Sequence, residues 1–521
     1  MTWTKCMQQR RMMMINNLII IPIVFQLVLA ILLLAFWRKI LIQKIISILG
    51  SVVAVIIAAN LFHKVYRGDI LTMQAGNWQS PFGITFVADT FSTTMLLLAS
   101  ISSLAVTIYS SVSIKKPRLR FGYFPSLHFL IMGLNGAFLT GDIFNLYVWF
   151  EVIIISSFVF ITLGGKKVQL EGAVKYFTLN FLASILFLTA IAVLYGLTGS
   201  LNMADLSDKI HQINNEGLVQ VTAILFLVGF GIKSAIFPLY FWLPDSYHTP
   251  QAAISSIFAG LLTKVGIYAL FRVFSLIFVP DEFLKTLMVI IAGLTLFSGG
   301  LGAVVQTNMR KMFSYMIVCH IGYMIGGLGM FTTAALSGAV FYLIHDIIVK
   351  TNLFLVGGMV FRLTGEINMK KMGGIYASYP AIALLMAIPL FSLIGVPPLS
   401  GFWPKIDLMQ ESFSTGNYFL LACIIFGSFI TLFVITRFWS EAFWKKKENL
   451  EPKPYIKYFY MMTTTRKVLL ITPIVILSMV SLYIGIGAEN IIQLSDQIAK
   501  ELTDTSAYVE AVLGTKTTVV P

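Results

Sequence analysis

A lysine lies within a long apolar segment in the stretch Val228-Gly-Phe-Gly-Ile-Lys233-Ser-Ala-Ile-Phe-Pro238. A charged lysine at the centre of a bilayer costs about 2.5–3.5 kcal/mol on membrane-insertion scales. Further ionisable residues lie in apolar surroundings, namely Glu151, Lys264, Lys350 and Lys405. Ionisable groups inside a membrane generally belong to ion or proton pathways. The chain is therefore predicted to move charge across a membrane.

The composition indicates a membrane protein built from helices. Of the 521 residues, 57% are hydrophobic and only 12% are charged, and the mean hydropathy is +0.85. Soluble domains carry about 25% charged residues. The apolar runs are continuous over about 20 residues, which is typical of a transmembrane helix and unlike the alternation of a β-barrel strand. An all-α polytopic membrane protein is therefore predicted.

The sequence contains no pattern that indicates a redox cofactor, a metal site or ATP binding. Its three cysteines, Cys6, Cys319 and Cys423, are far apart, and no CxxC motif or Cys/His cluster occurs. Walker A and Rossmann fingerprints are also missing. We therefore predict no cofactor and no metal site in this chain, any electron transfer in a partner or not at all, and no ATP-driven transport by this chain alone.

Apolar runs recur along the chain, and we predict about 14 transmembrane helices, counted in chain order. Lysine and arginine concentrate in the loops after most odd-numbered helices, for example at Arg310 and Lys311. Because cytoplasmic loops are enriched in these residues, both termini are predicted to lie outside. Three basic residues before the first helix, Lys5, Arg10 and Arg11, conflict with this orientation.

Two of the predicted helices share an irregular pattern. The seventh is broken at Pro238, and the twelfth is broken at Pro397 and Pro398. Two Pro/Gly-interrupted spans in corresponding positions indicate repeats of inverted topology, although two ordinary kinked helices are the alternative. We predict two inverted five-helix repeats within four regions: residues 1–126 (helices 1–3), 127–273 (helices 4–8), 286–440 (helices 9–13) and 441–521 (the last helix and the tail).

Several motifs follow one another in an order that is specific to one family. They are Asp142-Ile-Phe-Asn-Leu-Tyr-Val-Trp-Phe-Glu151, Gly231-Ile-Lys233 through Pro238, Trp242-Leu-Pro-Asp245 through His248, Ser255-Ser256 through Lys264-Val-Gly-Ile-Tyr268, Ser314-Tyr315 through His320-Ile-Gly322, and Gly395 through Lys405. On these residues the chain resembles the antiporter-like subunits shared by Mrp-type multisubunit cation/proton antiporters and respiratory complex I. A lysine, not a glutamate, at position 405 favours the Mrp branch.

The resemblance implies a proton relay along Glu151, Lys233, Lys264 and Lys405. Glu151 is expected to pair with Lys233, and a purely structural ion pair is the alternative. Lys264 has no acid nearby in the sequence, and a buried lysine without a counter-ion can release its proton. Snorkelling to the membrane surface is the alternative for Lys264.

Five further residues are possible members of the relay: His248, His320, His345, Asp346 and Lys350. Histidine titrates near physiological pH and suits a proton wire, but a lone membrane histidine is often only hydrogen-bonded. Asp346 and Lys350 lie one helical turn apart and could simply neutralise each other. The stretch His345-Asp-Ile-Ile-Val-Lys350 also departs from the spacing that is usual in the family.

The resemblance predicts a proton-translocating subunit of a multisubunit Na+/H+ antiporter in the bacterial cell (plasma) membrane. Such a chain is a secondary transporter subunit rather than an enzyme. It implies partner membrane subunits of the A, B, C, E, F and G types, with H+ and Na+ as the transported ions and no nucleic acid. The alternative is a proton-pumping membrane subunit of a complex I-like NADH:quinone oxidoreductase or a membrane hydrogenase. A non-transporting structural subunit is disfavoured by the number of buried charges.

Overall fold

The computed structural model of the protein describes residues 17–446, 459 and 461–514. Within these residues, twelve helices are long and apolar enough to cross a membrane. Each coincides with one of the predicted spans, so the prediction of a polytopic helical membrane protein is confirmed. The predicted fourth and twelfth spans correspond to two shorter apolar helices, which are interrupted or end early.

The helices that span or enter the membrane are α1 (Ile21–Ala35), α2 (Ile40–Tyr66), α3 (Thr90–Ser113), α5 (Tyr123–Leu139), α6 (Ile143–Thr162), α7 (Lys167–Thr198), α9 (Glu216–Ser234), α11 (Ala252–Leu276), α12 (Glu282–Val304), α13 (Met309–Met330), α14 (Thr333–Thr364), α16 (Pro380–Ile394), α17 (Trp403–Ser414), α18 (Tyr418–Trp444) and α19 (Thr464–Ile486). Shorter helices lie between and after them: α4 (Lys116–Arg120), α8 (Met203–Ile210), α10 (Trp242–Tyr247), α15 (Ile375–Ser378), α20 (Ala488–Thr503) and α21 (Ser506–Leu513).

Helices α11 and α14 form the centre of the molecule. The apolar window of each is completely buried inside the protein, whereas only about two-fifths of the window of α7 is buried. A helix that is buried all round cannot face lipid, and polar side chains on it are shielded from both lipid and water. The ionisable residues of α11 and α14 therefore lie in the protein interior.

Both predicted helix breaks are present. Helix α9 ends at Ser234, Ala235 adopts a left-handed conformation with φ 60°, and α10 begins at Trp242. Helix α16 ends at Ile394, Gly395 adopts φ 90°, and α17 begins at Trp403. Because the carbonyls of the last helical turn have no partners within the helix, each break exposes backbone acceptors inside the protein.

Two regions outside the membrane helices also form regular structure. The strands β1 (Leu71–Gln74) and β2 (Thr85–Ala88) pair antiparallel in a hairpin. The polar tail forms α20 and α21. These tail helices pack on the core because they are amphipathic, as shown by the buried residues Leu494, Ile498 and Leu502.

Loop segments pair in two backbone clasps, one between 141–143 and 201–203 and the other between 307–309 and 367–369. In the first, Ile143 N donates to Leu201 O at 2.9 Å and Met203 N donates to Gly141 O at 2.9 Å. In the second, Met309 N donates to Ile367 O at 3.0 Å and Met369 N donates to Thr307 O at 2.9 Å. The four central residues all cap the N-terminus of the helix that follows: Asp142, Asn202, Asn308 and Asn368.

Candidate functional site

A buried ion pair lies at the centre of the molecule. The Lys264 Nζ on α11 lies 2.7 Å from the Asp346 Oδ2 on α14, and neither side chain is exposed. Lys264 also donates to the Ala259 carbonyl at 2.9 Å, within a π-helical turn over Phe258–Leu262. A π-turn widens the helix locally and occurs frequently at functional sites. The lysine is thus fixed by one charged and one neutral acceptor.

This geometry corrects the interpretation of Lys264 as a lysine without a counter-ion. The acid is distant in sequence because it lies on α14, which packs against the π-turn of α11. Snorkelling is also excluded, since the side chain is buried at a helix that faces no lipid. Lys264 and Asp346 therefore form one unit, in which each charge compensates the burial of the other.

Asp346 also touches His320, a residue of α13. The His320 Nδ1 lies 3.4 Å from the Asp346 Oδ1, and its Nε2 lies 3.2 Å from the Thr431 hydroxyl of α18. The structure does not support neutralisation of Lys350 by Asp346: within the described residues these two form no ion pair, and Lys350 donates instead to the Met316 carbonyl at 2.9 Å. Asp346 consequently interacts with α11 and α13.

Lys405, at the start of α17, reaches back across the break to the end of α16. Its Nζ donates to the Ile394 carbonyl at 2.8 Å and to the Leu393 carbonyl at 3.2 Å. The ammonium also lies 5.5 Å from the centre of the Tyr323 ring. Because these are the last two carbonyls of α16, the charged side chain satisfies acceptors that the helix itself leaves open.

A cluster of hydroxyl groups lies beside this break. The His345 Nδ1 is 2.8 Å from the Ser400 hydroxyl, which is 2.6 Å from that of Ser392. The hydroxyl of Ser481, on α19, lies 3.1 Å from Ser400 and 3.2 Å from Ser392. His345 is thereby connected to the second break and to the last membrane helix, but its Nε2 has no hydrogen-bond partner.

Lys233 and Glu151 lie near each other without the expected contact. The Lys233 Nζ donates to the Ser184 hydroxyl at 3.3 Å and lies 4.9 Å from the centre of the Phe150 ring. Among the described residues it forms no ion pair with Glu151, and the Glu151 Oε1 is buried without a hydrogen-bond partner. The predicted pair is therefore open, because the ammonium turns towards α7 and an aromatic face.

A small cavity continues from Lys233 towards α11. The volume that the centre of a water molecule can occupy in this cavity is about 20 Å³. The lining residues include Lys233, Phe150, Trp242, Tyr247 and Gly266. A single water needs about 10–15 Å³ on this measure and two or more polar partners. The cavity can hold one water between the lysine of α9 and the segment of α11 that follows Lys264.

His248 lies apart from the ionisable residues described so far, just after α10. Its Nδ1 hydrogen-bonds the Pro244 carbonyl at 2.6 Å, and burial lowers its pKa below the usual value. Asp245, which the sequence analysis did not select, bridges Lys175 and Lys311 at 2.9 Å each. Burial alone would raise the pKa of Asp245, but hydrogen bonds from the two lysines lower it.

The structure thus brings together Lys264, Asp346 and His320, and it leaves Glu151, Lys233 and His248 without a mutual ion pair. The sequence analysis missed Asp245 and the serines at 392, 400 and 481. Asp245 has a sequence signal, since it lies directly after Trp242-Leu-Pro beside a predicted break. The serines have none, because hydroxyls are common in membrane helices and bond their own backbone there.

The middle of the chain matches a known family. Residues 140–431 match the family described as NADH:quinone oxidoreductase/Mrp antiporter, TM. This segment contains every candidate site residue named above except Ser481.

Two relatives are similar over almost the whole chain, and both are D-type subunits of Na+/H+ antiporters. The relative from Alkalihalophilus pseudofirmus is 43% identical over 499 residues, which are 96% of this chain and 99% of the relative. The relative from Bacillus subtilis is 40% identical over the same shares of the two chains.

Solved structures agree with this assignment. A chain of the Mrp complex from Dietzia sp. DQ12-45-1b superposes with a TM-score of 0.86 at 26% identity, covering 96% of this chain and all of that chain. A chain of the membrane-bound sulfane sulfur reductase, an archaeal respiratory membrane complex, superposes with a TM-score of 0.85 at 26% identity, covering 95% and 99%. The protein is therefore a transporter subunit that belongs to the antiporter-like family shared by Mrp antiporters and NADH:quinone oxidoreductase, and within that family to the D-type subunits of Mrp Na+/H+ antiporters.

Proposed function

We propose that this subunit carries protons through a multisubunit antiporter that exchanges Na+ for H+. Protons pass along Glu151, Lys233 and Lys264 and then towards Lys405. Between Lys264 and Lys405, the connecting residues are Asp346, His320, His345 and Lys350. His248, near α10, lies on a side branch of this proton path. The chain acts together with other membrane subunits of the A, B, C, E, F and G types.

One observation carries this proposal, namely the buried contact of Lys264 and Asp346 at 2.7 Å. A buried ion pair is weak evidence for stability, because well-packed apolar residues often serve as well or better. It is good evidence for function when it lies inside a membrane helix bundle. A proton can move by protonation of one member and release from the other, since coupled groups titrate together.

The two clasps support the division into inverted five-helix repeats, residues 127–273 and 286–440. The clasp 141–143/201–203 lies at the start of α6, and the clasp 307–309/367–369 lies at the start of α13. If every intervening helix crosses the membrane, these two starts lie on opposite faces. Equivalent clasps on opposite faces are what inverted repeats require. Residues 1–126 then form three flanking helices, and 441–521 form the last helix and the tail.

The orientation follows from the same topology together with the loop charges. We count fourteen spans, taking α5 and the broken α16–α17 as one each, and an even number supports the proposal that both termini lie on the same side. The basic loops after odd-numbered spans support the proposal that this side is outside the bacterial cell membrane. The tail helices α20 and α21 then cover the outer ends of the membrane helices.

The test of the relay is whether Lys264 must release its proton or only carry charge. Arginine keeps the positive charge but stays protonated at any accessible pH. In everted membrane vesicles, Lys264→Arg should therefore lose Na+-dependent proton exchange nearly as fully as Lys264→Ala. Lys175→Arg, at an exposed lysine that also contacts a carboxylate, is the matched control and should retain exchange. Full exchange in Lys264→Arg at normal subunit abundance would refute the relay at this position.

A second candidate function is that of a proton-pumping subunit in a redox complex. The superposition on a chain of an archaeal respiratory membrane complex favours it as the alternative. Vesicles that lack any electron donor distinguish the two functions. An antiporter subunit supports Na+-dependent proton movement on an imposed pH gradient, whereas a redox pump needs electron transfer.

A further inference from the structure

The break between α16 and α17 presents two backbone carbonyls to a positively charged group. Leu393 and Ile394 are the last two residues of α16, and their carbonyls point into the protein interior rather than to a following turn. The C-terminal end of a helix carries the negative end of the helix dipole. Lys405 already places its ammonium there, which shows that the geometry suits a monovalent cation.

The same break also contains a cluster of neutral hydroxyl oxygens. The hydroxyls of Ser392, Ser400 and Ser481 lie within 3.2 Å of one another, and all three side chains are fully buried. Ser392 directly precedes Leu393 in the last turn of α16. Backbone carbonyls of an unwound helix and the C-terminal ends of half-helices are the groups with which secondary transporters hold Na+ at the membrane midplane.

We propose that the second break is a binding site for Na+, formed by the Leu393 and Ile394 carbonyls together with the serine hydroxyls. The ammonium of Lys405 and the metal ion occupy this site alternately. The ligands are neutral, which suits a singly charged ion, whereas a Ca2+ site is built mainly from carboxylates. Na+ enters when the flexible Lys405 stem withdraws from the two carbonyls.

The first break does not have this arrangement. There the indole Nε1 of Trp242 donates to the Ile232 carbonyl at 3.0 Å, two residues before the end of α9, and this carbonyl also accepts from Ala235 N. Lys233 lies on α9 itself and turns to Ser184 on a different helix. The proposed site therefore lies at the second break and not at the first.

Alternate occupancy would exclude simultaneous binding of two positive charges. Two unit charges a few ångströms apart repel strongly in a medium of low dielectric constant. Exclusion of this kind makes a Na+ ion and a charged lysine exchange one for one. The inference deepens the proposed function, on which it rests for the identity of the cation, by assigning the Na+ site to this subunit.

The decisive measurement is equilibrium binding of 22Na+ to the purified complex in lipid nanodiscs. Lys405→Ala removes the internal competitor, and we expect about one additional Na+ per complex relative to wild type. Adding Ser400→Ala to this variant should weaken the new site about tenfold, as expected from the loss of one oxygen ligand. Lys233→Ala is the matched control and should bind no additional Na+.

Two outcomes would overturn the site. One is that Lys405→Ala binds no more Na+ than wild type; the other is that Lys233→Ala gains the same ion, which would indicate a general effect of lost charge. If the Lys405→Ala complex does not assemble, Ser400→Ala alone decides. It should raise the Na+ concentration for half-maximal exchange at least about threefold, and an unchanged value overturns the site. A complex that exchanges no Na+ for H+ at all would refute the proposed function instead, while the binding data would still test the site.

Discussion

The two broken helices have a similar backbone conformation at the break, but different side chains donate to the carbonyls there. Each has a residue with positive φ directly after the first half, Ala235 in one and Gly395 in the other. At the first break, the Trp242 indole donates to the Ile232 carbonyl, two residues before the end of α9, and Lys233 turns to Ser184. At the second, the lysine ammonium itself donates to the last two carbonyls. The backbone conformation alone therefore does not determine which group donates to the carbonyls at a helix break.

The difference arises from where each lysine is attached. Lys233 precedes its break, so its side chain projects from the helix surface towards α7. Lys405 follows its break, in the first turn of α17, and its stem can reach back to the end of α16. A lysine on the far side of a break is thus a cap, while a lysine on the near side is a neighbour of other helices.

The largest effect is expected between the two breaks, at Asp346. Asp346→Asn leaves the Lys264 ammonium buried without its carboxylate, which typically costs about 3–5 kcal/mol. We expect exchange to be abolished and the apparent thermal midpoint of the complex to fall. Exchange in vesicles and thermal unfolding measure the two effects separately.

A control for this variant is available at a second buried ion pair that also involves α11. Asp89→Asn breaks the contact between Asp89 and Arg272, which lies towards the other end of that helix. It should destabilise the protein but preserve exchange in whatever complex assembles. If Asp346→Asn transports as well as Asp89→Asn per assembled complex, the central ion pair has a purely structural role.

The next effect separates the two lysines of the breaks. Lys405→Ala removes hydrogen bonds from a charged donor to two carbonyls, and each such bond contributes about 1.5–3 kcal/mol. Lys233→Ala removes a single 3.3 Å contact to a hydroxyl. We expect Lys405→Ala to lower the thermal midpoint clearly more than Lys233→Ala. Equal midpoints would show that the ammonium is not a structural cap.

A smaller effect is expected from the tryptophans at the two breaks. Trp242→Phe keeps an aromatic ring but removes the donor to Ile232, which also accepts from Ala235 N, so the loss should be about 0.5–1.5 kcal/mol. Trp403→Phe is the counterpart, because its indole donates to the Gly485 carbonyl of α19 at 2.9 Å. Exchange should fall in Trp242→Phe and persist in Trp403→Phe. The reverse order would contradict the assignment of the indole as the first cap.

The smallest effect is expected at Ser184. Its hydroxyl accepts the long 3.3 Å hydrogen bond of Lys233, and a weak contact of this kind contributes little. Ser184→Ala should change the initial rate of exchange by less than about twofold. A complete loss of exchange would contradict this expectation and mean that the hydrogen bond from Lys233 to Ser184 is essential for transport.

Much of the architecture could be predicted because it depends on local chemistry. Apolar runs of sufficient length give the membrane helices, and Pro238 with Pro397 and Pro398 gives the two breaks, since proline lacks the donor that a helix needs. The identity of most charged residues in the interior could also be predicted. Any lysine or glutamate in such a run lies at bilayer depth by the count of residues alone.

The pairing of these charges could not be predicted in the same way. Lys264 meets Asp346 through the packing of α11 on α14, and no feature near Lys264 in the sequence points to that acid. Conversely, Glu151 and Lys233 were expected to pair, and the geometry leaves them apart because Ser184 and the Phe150 ring attract the ammonium. Sequence patterns determine depth along a helix, whereas partners depend on the rotation of packed helices.

One sequence signal for the repeats was available and not used. Leu-Thr-Gly occurs at 139–141, 197–199 and 363–365, and two of these end three residues before an Asn-Met pair, at 202–203 and 368–369. In each case the threonine hydroxyl accepts from the backbone two residues later, for instance from Ser200 N at 3.3 Å and Glu366 N at 3.2 Å. These short matches adjoin three of the four clasp segments, and they recur within the proposed repeats independently of the prolines.

The clasps have a mechanical consequence. Each clasp joins the start of one helix to a loop segment that precedes a broken helix. Paired backbone hydrogen bonds therefore hold these two segments of each proposed repeat together. Large rotations of whole helices would have to open these pairs. Each clasp lies within one proposed repeat, and neither joins the two, so the clasps hold each repeat together as a unit. Movements that keep both clasps closed are rearrangements of side chains, changes in single turns beside the breaks, and displacements of one whole repeat.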